Sequence, residues 1–145
     1  MMSKRDKGAS SLEGIEEIAS DGDVFAYVVR AGLDPKASTF FTPHELGFQA
    51  GMVVVPEGTA VARHDHLPVA RQITGTSEAL FVRRGRCEMD IYDRSRSLVS
   101  TTELRAGDMA LFVGIGGHGF RALEDTVLFE VKQGPYVDCE ERERF

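Results

Sequence analysis

The chain has 145 residues, with 17 Lys+Arg against 23 Asp+Glu and a formal net charge of −6. That balance, without any basic stripe, argues against a nucleic-acid partner, which needs clustered Lys and Arg to neutralise phosphates. Apolar runs such as Met52 to Val55 and Val127 to Phe129 fall far short of the roughly 20 residues of a membrane-spanning helix, and two cysteines, Cys87 and Cys139, are too few for a disulfide framework.

Taken in chain order, the sequence opens on a polar segment over residues 1–20. Its start, MMSKRDKGASSLEG, is basic but has no apolar stretch behind it, so no secretory signal is expected. Residues 1–10 are expected to be disordered. Leu12, Ile15 and Ile18 are spaced for a short helical turn or a strap on the surface.

From Val24 onward the pattern changes to short β-rich runs punctuated by glycine and proline. It predicts strands over Val24–Val29, Ser38–Phe41, Gly47–Val55, Ala60–His66 and Glu78–Arg84. It predicts further strands over Cys87–Tyr92, Ser97–Leu104, Asp108–Phe112, Gly119–Leu123 and Val127–Lys132. Strands at such close intervals, with no helical pattern between them, predict an antiparallel sandwich or barrel rather than βαβ units. One such domain is expected over residues 21–137, followed by a charged tail over 138–145, DCEERERF. Two reduced thiols in a cytoplasmic protein are the expectation for the cysteines.

Histidine is scarce: four in the chain, at positions 44, 64, 66 and 118. In Ala62-Arg63-His64-Asp65-His66, strand alternation would put both imidazoles on one face, about 7 Å apart. Glu78 opens the next predicted strand and shares a face with Leu80 and Val82. A carboxylate on an apolar face asks for a compensating charge, which a cation supplies. His118 follows the glycine run Gly114-Ile115-Gly116-Gly117, where the backbone can turn tightly. His44, in Thr42-Pro43-His44-Glu45, reads as a loop residue.

Together these residues resemble the two motifs of the cupin superfamily. The first, G-x5-H-x-H-x3-4-E-x6-G, is similar to Gly58-x5-His64-x-His66 and Glu78-x6-Gly85. The second, G-x5-P-x-G-x2-H-x3-N, keeps its frame at Gly107 and His118, with Val113, Ile115 and Ala122 at the usual Pro, Gly and Asn positions. The resemblance covers residues 47–132. It implies an all-β fold, the jelly-roll-like barrel called the double-stranded β-helix, and one divalent metal held by His64, His66, Glu78 and His118.

The departure is the gap of eleven residues, Leu67 to Ser77, between His66 and Glu78. It most economically lengthens a turn between paired strands. Were it to shift the register by an odd number, Glu78 would face outward, Arg71 or Gln72 would stand nearby, and three histidines would remain. A separated glutamate is also similar to the arrangement in phosphomannose-isomerase-type cupins.

The implied metal is Zn, Fe, Mn or Ni, or in principle Cu, since ligand type alone does not choose among them. A small polar substrate, such as a sugar derivative, would then be isomerised or epimerised with the metal as Lewis acid. Glu130, Lys132 or Tyr136 would move the proton. The alternatives are a dioxygenase on an open Fe or Ni site and a non-catalytic module that binds or senses a small molecule. In Val127–Lys132, the default places Val127, Phe129 and Val131 inside and leaves Glu130 and Lys132 solvated. The other arrangement turns Leu128, Glu130 and Lys132 inward. Arg71 and Arg121 are surface arginines by default and could otherwise receive an anionic group. The resemblance further implies a homodimer through an outer sheet face that carries Phe81.

Overall fold

Period-2 alternation produces ten strands in the structure, a computed structural model that describes residues 13–137 and 141–145. They are β1 (Ile15–Ser20), β2 (Asp23–Val29), β3 (Thr39–Phe40), β4 (Gly51–Met52) and β5 (Glu78–Arg84). The second half adds β6 (Arg86–Tyr92), β7 (Leu98–Arg105), β8 (Met109–Phe112), β9 (Gly117–Ala122) and β10 (Val127–Lys132). Among the described residues no helix is long and apolar enough to cross a membrane.

The strands form a five-stranded sheet in the order β1-β2-β8-β5-β10, a three-stranded sheet β7-β6-β9, and the small pair β3-β4. Every neighbouring pair is antiparallel. Phe25, Val28, Leu80, Val82 and Ala110 of the larger sheet meet Cys87, Met89, Ile91 and Leu104 of the smaller in one buried core. The opposite face of the larger sheet, carrying Tyr27, Ala79 and Leu111, is covered by Phe41, Leu46, Phe48 and Ala50. Asp108 fastens the end of β2 to the β7–β8 turn. Its buried carboxylate accepts hydrogen bonds from the Ala31 and Arg105 amides at 2.9 and 3.0 Å and pairs with Arg30 at 3.1 Å.

The fold is thus all-β, as expected, but the two sheets form an open sandwich and do not close into a barrel. The segment predicted as the strand Ala60–His66 forms none, and residues 53–77 contain no strand. A strand needs a neighbour for its amides and carbonyls, and this stretch finds none among the described residues. The predicted strands Ser38–Phe41 and Gly47–Val55 shrink to the two-residue pair β3-β4 for a similar reason.

At the N-terminal end the helical reading of Ile15 and Ile18 is corrected. Ile15–Ser20 is a strand, because Asp21 and Gly22 take φ of +52° and +84° and close a two-residue hairpin with Ser20 opposite Asp23. That turn matches the right-handed twist of the flanking strands. The disorder expected over residues 1–10, the placement of Leu12 and the Cys139 thiol lie outside the described residues. Cys87 is a free, buried thiol.

Candidate functional site

Glu78 is the first residue of β5, opposite Phe112 of β8 on one side and Lys132 of β10 on the other. It points inward with Leu80 and Val82 and is only 8% exposed. The outward-facing alternative for Glu78 does not occur. His118 lies in β9 opposite Ile91 of the core. Its Nε2 is 3.1 Å from Oε2 of Glu78, so the two motifs' inner halves meet across the gap between the sheets.

Two phenylalanines that the motifs do not include shape this contact. The His118 ring stacks on Phe112, with centroids 3.9 Å apart and planes at 15°. Phe120 packs edge-on against both rings. The signal for Phe112 was available in the inward alternation Ala110, Phe112 of β8; that for Phe120 was its two-residue spacing from His118. Burial beside these rings pushes the His118 pKa below its usual value, while the carboxylates of Glu78 and Glu130 pull it back up. The net shift is downward and favours the neutral imidazole, the form that ligates metals. About a third of the side chain (31%) still reaches solvent, on the side where the smaller sheet ends.

The default arrangement of Val127–Lys132 is reversed. Leu128 packs against the core between the sheets, so Leu128, Glu130 and Lys132 share the inward face of β10. Phe129 turns outward and packs against Phe81, both exposed. Glu130 is close enough to influence His118, and Lys132 lies 3.8 Å from Glu141. Tyr136 stands beyond β10 and is exposed. Arg121 pairs with Glu88 on the outer face of the smaller sheet, away from the inner surface.

His64 and His66 are brought to each other but not to Glu78 and His118. Their rings meet edge-on at 5.1 Å, and Nδ1 of His64 lies 2.8 Å from the Ala62 carbonyl oxygen. Both are exposed, as are Asp65 and Arg71. Among the described residues no three His, Cys, Asp or Glu side chains converge as a metal site. His44 sits in the exposed turn that Leu46 closes with its hydrogen bond to the Pro43 carbonyl.

A cavity of about 900 Å³ opens at the other end of β5, lined by Arg84, Gly85, Arg86, Arg105, Ala106, Glu124 and Asp125. It includes none of the candidate ligands. Compared with family models, curated proteins and solved structures, the chain matches none.

Proposed function

We propose that this chain is a metal-binding protein of cupin type whose inner surface acts on a small polar substrate, as an isomerase or epimerase. The observation that carries the reading is the Glu78–His118 pair. A carboxylate with 8% exposure and an imidazole held toward its neutral form face each other at 3.1 Å, from the positions the two motifs reserve for ligands. Nitrogen and oxygen donors of this kind suit a divalent transition metal, and Glu78 and His118 supply two of them side by side. They would hold the metal together with His64 and His66, which stand apart from the pair in this structure, and the metal would supply polarisation of a carbonyl or hydroxyl oxygen.

The inward turn of Glu130 and Lys132 favours catalysis over simple binding. Both lie on the same face of β10 as the core residue Leu128, which gives the surface an acid and a base beside the ligand pair. Glu130 takes a proton from a substrate carbon and returns it, and Lys132 orients an oxygen of the substrate. Phe112 and Phe120 keep water from one side of the imidazole.

The test is elemental analysis of protein purified without a histidine tag. Wild type is expected to hold a stoichiometric transition metal, His118→Ala and His64→Ala to hold none, and His44→Ala to keep it. Full metal content in the first two variants overturns the ligand assignment. For the catalytic part, Glu130→Gln should keep the metal and lose aldose–ketose or epimer interconversion in a sugar panel. Oxygen uptake by the iron-loaded protein would instead point to a dioxygenase.

A further inference from the structure

The charged segment 141–145 is seated on the body of the protein. Glu141 lies 3.8 Å from Lys132, with the two side chains only 20% and 25% exposed. Glu143 pairs with Arg96 at 2.6 Å. The Phe145 ring meets Tyr92 edge-on, with centroids 5.1 Å apart, and the Arg96 guanidinium lies 4.9 Å from the same ring. Phe145 also fills the space a side chain at position 117 would need: a Cβ on Gly117 would lie 2.8 Å from the Phe145 Cζ.

These anchors stand on either side of the candidate site. Lys132 is opposite Glu78 in the ladder of β10 and β5. Gly117 directly precedes His118 and is opposite Tyr92 in the ladder of β9 and β6. One end of the segment is therefore fixed on the larger sheet and the other on the smaller, flanking the place where Glu78 and His118 meet. Arg142, between the anchors, is near enough to His118 for its charge to disfavour the imidazolium.

The β6–β7 hairpin is shaped to hold the segment. Arg96 donates its amide to the Asp93 carbonyl and takes φ of +68°, a left-handed position that glycine fills most easily. An arginine there costs backbone strain, and its side chain is the one that grips Glu143 and Phe145.

We propose that Glu141–Phe145 is an autoinhibitory latch across the mouth of the Glu78–His118 site: docked, it sets a carboxylate on Lys132, and released, it opens the gap between the sheets. The inference rests on the reading of that gap as a substrate site, in which Lys132 orients a substrate oxygen. Glu141 then competes with substrate for the same ammonium. Release is easy because exposed ion pairs hold weakly and the Phe145 ring stays 62% exposed.

The experiment measures how fast diethyl pyrocarbonate modifies each histidine, by peptide mass spectrometry on the full chain after treatment with a chelator. Phe145→Ala and Arg96→Gly should each raise the rate at His118 roughly two- to tenfold, the range an aromatic contact is worth, with His44 unchanged as the internal reference. Arg96→Gly also relieves the turn, so its effect cannot come from unfolding. The chain has no tryptophan, so Phe145→Trp supplies a docking signal: its emission should be more open to acrylamide once Arg96→Gly is added. A His118 rate that stays at the wild-type value in both Phe145→Ala and Arg96→Gly overturns the latch, even where the tryptophan reports docking. These rates need neither metal nor turnover, so a protein that holds no metal overturns the proposed function and leaves the latch to be decided by His118 alone. In an active preparation, Glu141→Gln and Phe145→Ala should raise kcat/KM. A fall would show that the segment builds the site instead of blocking it, and overturns autoinhibition.

Discussion

The two halves of the candidate ligand set live under opposite physical conditions. Glu78 and His118 sit on strands locked from both sheets, against Leu80, Ile91 and Phe112 of the buried core. His64 and His66 sit on a segment whose only side-chain hydrogen bond between Ala60 and His66, among the described residues, is the local one from His64 to Ala62. The motif is continuous in sequence and divided in space. Its Glu78–His118 half is held by burial, whereas its exposed half has the composition of a strand and lacks, among the described residues, the neighbour that would make it one. What separates the two halves is therefore the availability of a ladder partner, since β-forming residues are present in both.

The largest contrast should appear in stability. Met89→Ala removes a side chain with no exposure at the centre of the core and is expected to cost about 2–5 kcal/mol in denaturant unfolding. Leu67→Ala, at 78% exposure, should stay within about 0.5 kcal/mol for the metal-free monomer. A comparable loss at Leu67 would mean that the segment is packed within its own chain.

Gly75→Ala probes the boundary between the regions. Gly75 has φ of +83°, and an added Cβ would press on the Gly114 carbonyl, so a loss of about 1–3 kcal/mol is expected. No effect there would show that the segment is not anchored at that point.

The rigid half also titrates in a defined direction. Native His118 has a pKa below the usual 6.5, chiefly through burial. In metal-free protein the unfolded state therefore takes up a proton first as pH falls through 6.5, and stability declines toward acid. Because Glu78 pulls the His118 pKa upward, Glu78→Gln should shift the His118 NMR titration to still lower pH. A shift upward would mean that the two side chains do not touch in solution.

Two smaller measurements sharpen the same contrast. In dilute metal-free protein, trypsin should cut first after Arg63 and Arg71 in the exposed segment, and metal should slow the cut at Arg63 selectively. Equal rates with and without metal would detach the segment from the site. At the buried end, Cys87 is a free thiol whose pKa is raised by burial. In a Cys139→Ser background it should react with a disulfide reagent only as the protein unfolds.

Much of the fold was legible from local pattern. Glu78–Arg84 and Val127–Lys132 have the boundaries their alternation predicts, and the inward direction of Glu78 follows from its phase with Leu80 and Val82. The misread elements have specific causes. Ile15 and Ile18 fit a helical spacing, but the Asp21-Gly22 turn after them was the stronger signal and makes them half of a hairpin. The face of Val127–Lys132 that turns inward could not be chosen from hydrophobicity. Phe129 and Val131 are the more apolar set, yet register with β5 puts Leu128 opposite Val82 of the core and carries Glu130 and Lys132 inward with it.

By itself the sequence determined the all-β class, most strand positions and the frame in which three of four histidines fall, because these depend on neighbours a few residues apart. Only the tertiary structure decided which of those residues meet. Glu78 and His118 lie 40 positions apart in the chain and touch because β8 and β5 pair on one sheet while β6 and β9 pair on the other. His64 and His66 lie closer to Glu78 in sequence but are left apart from it, since a strand is made by the edge it finds and not by its own residues.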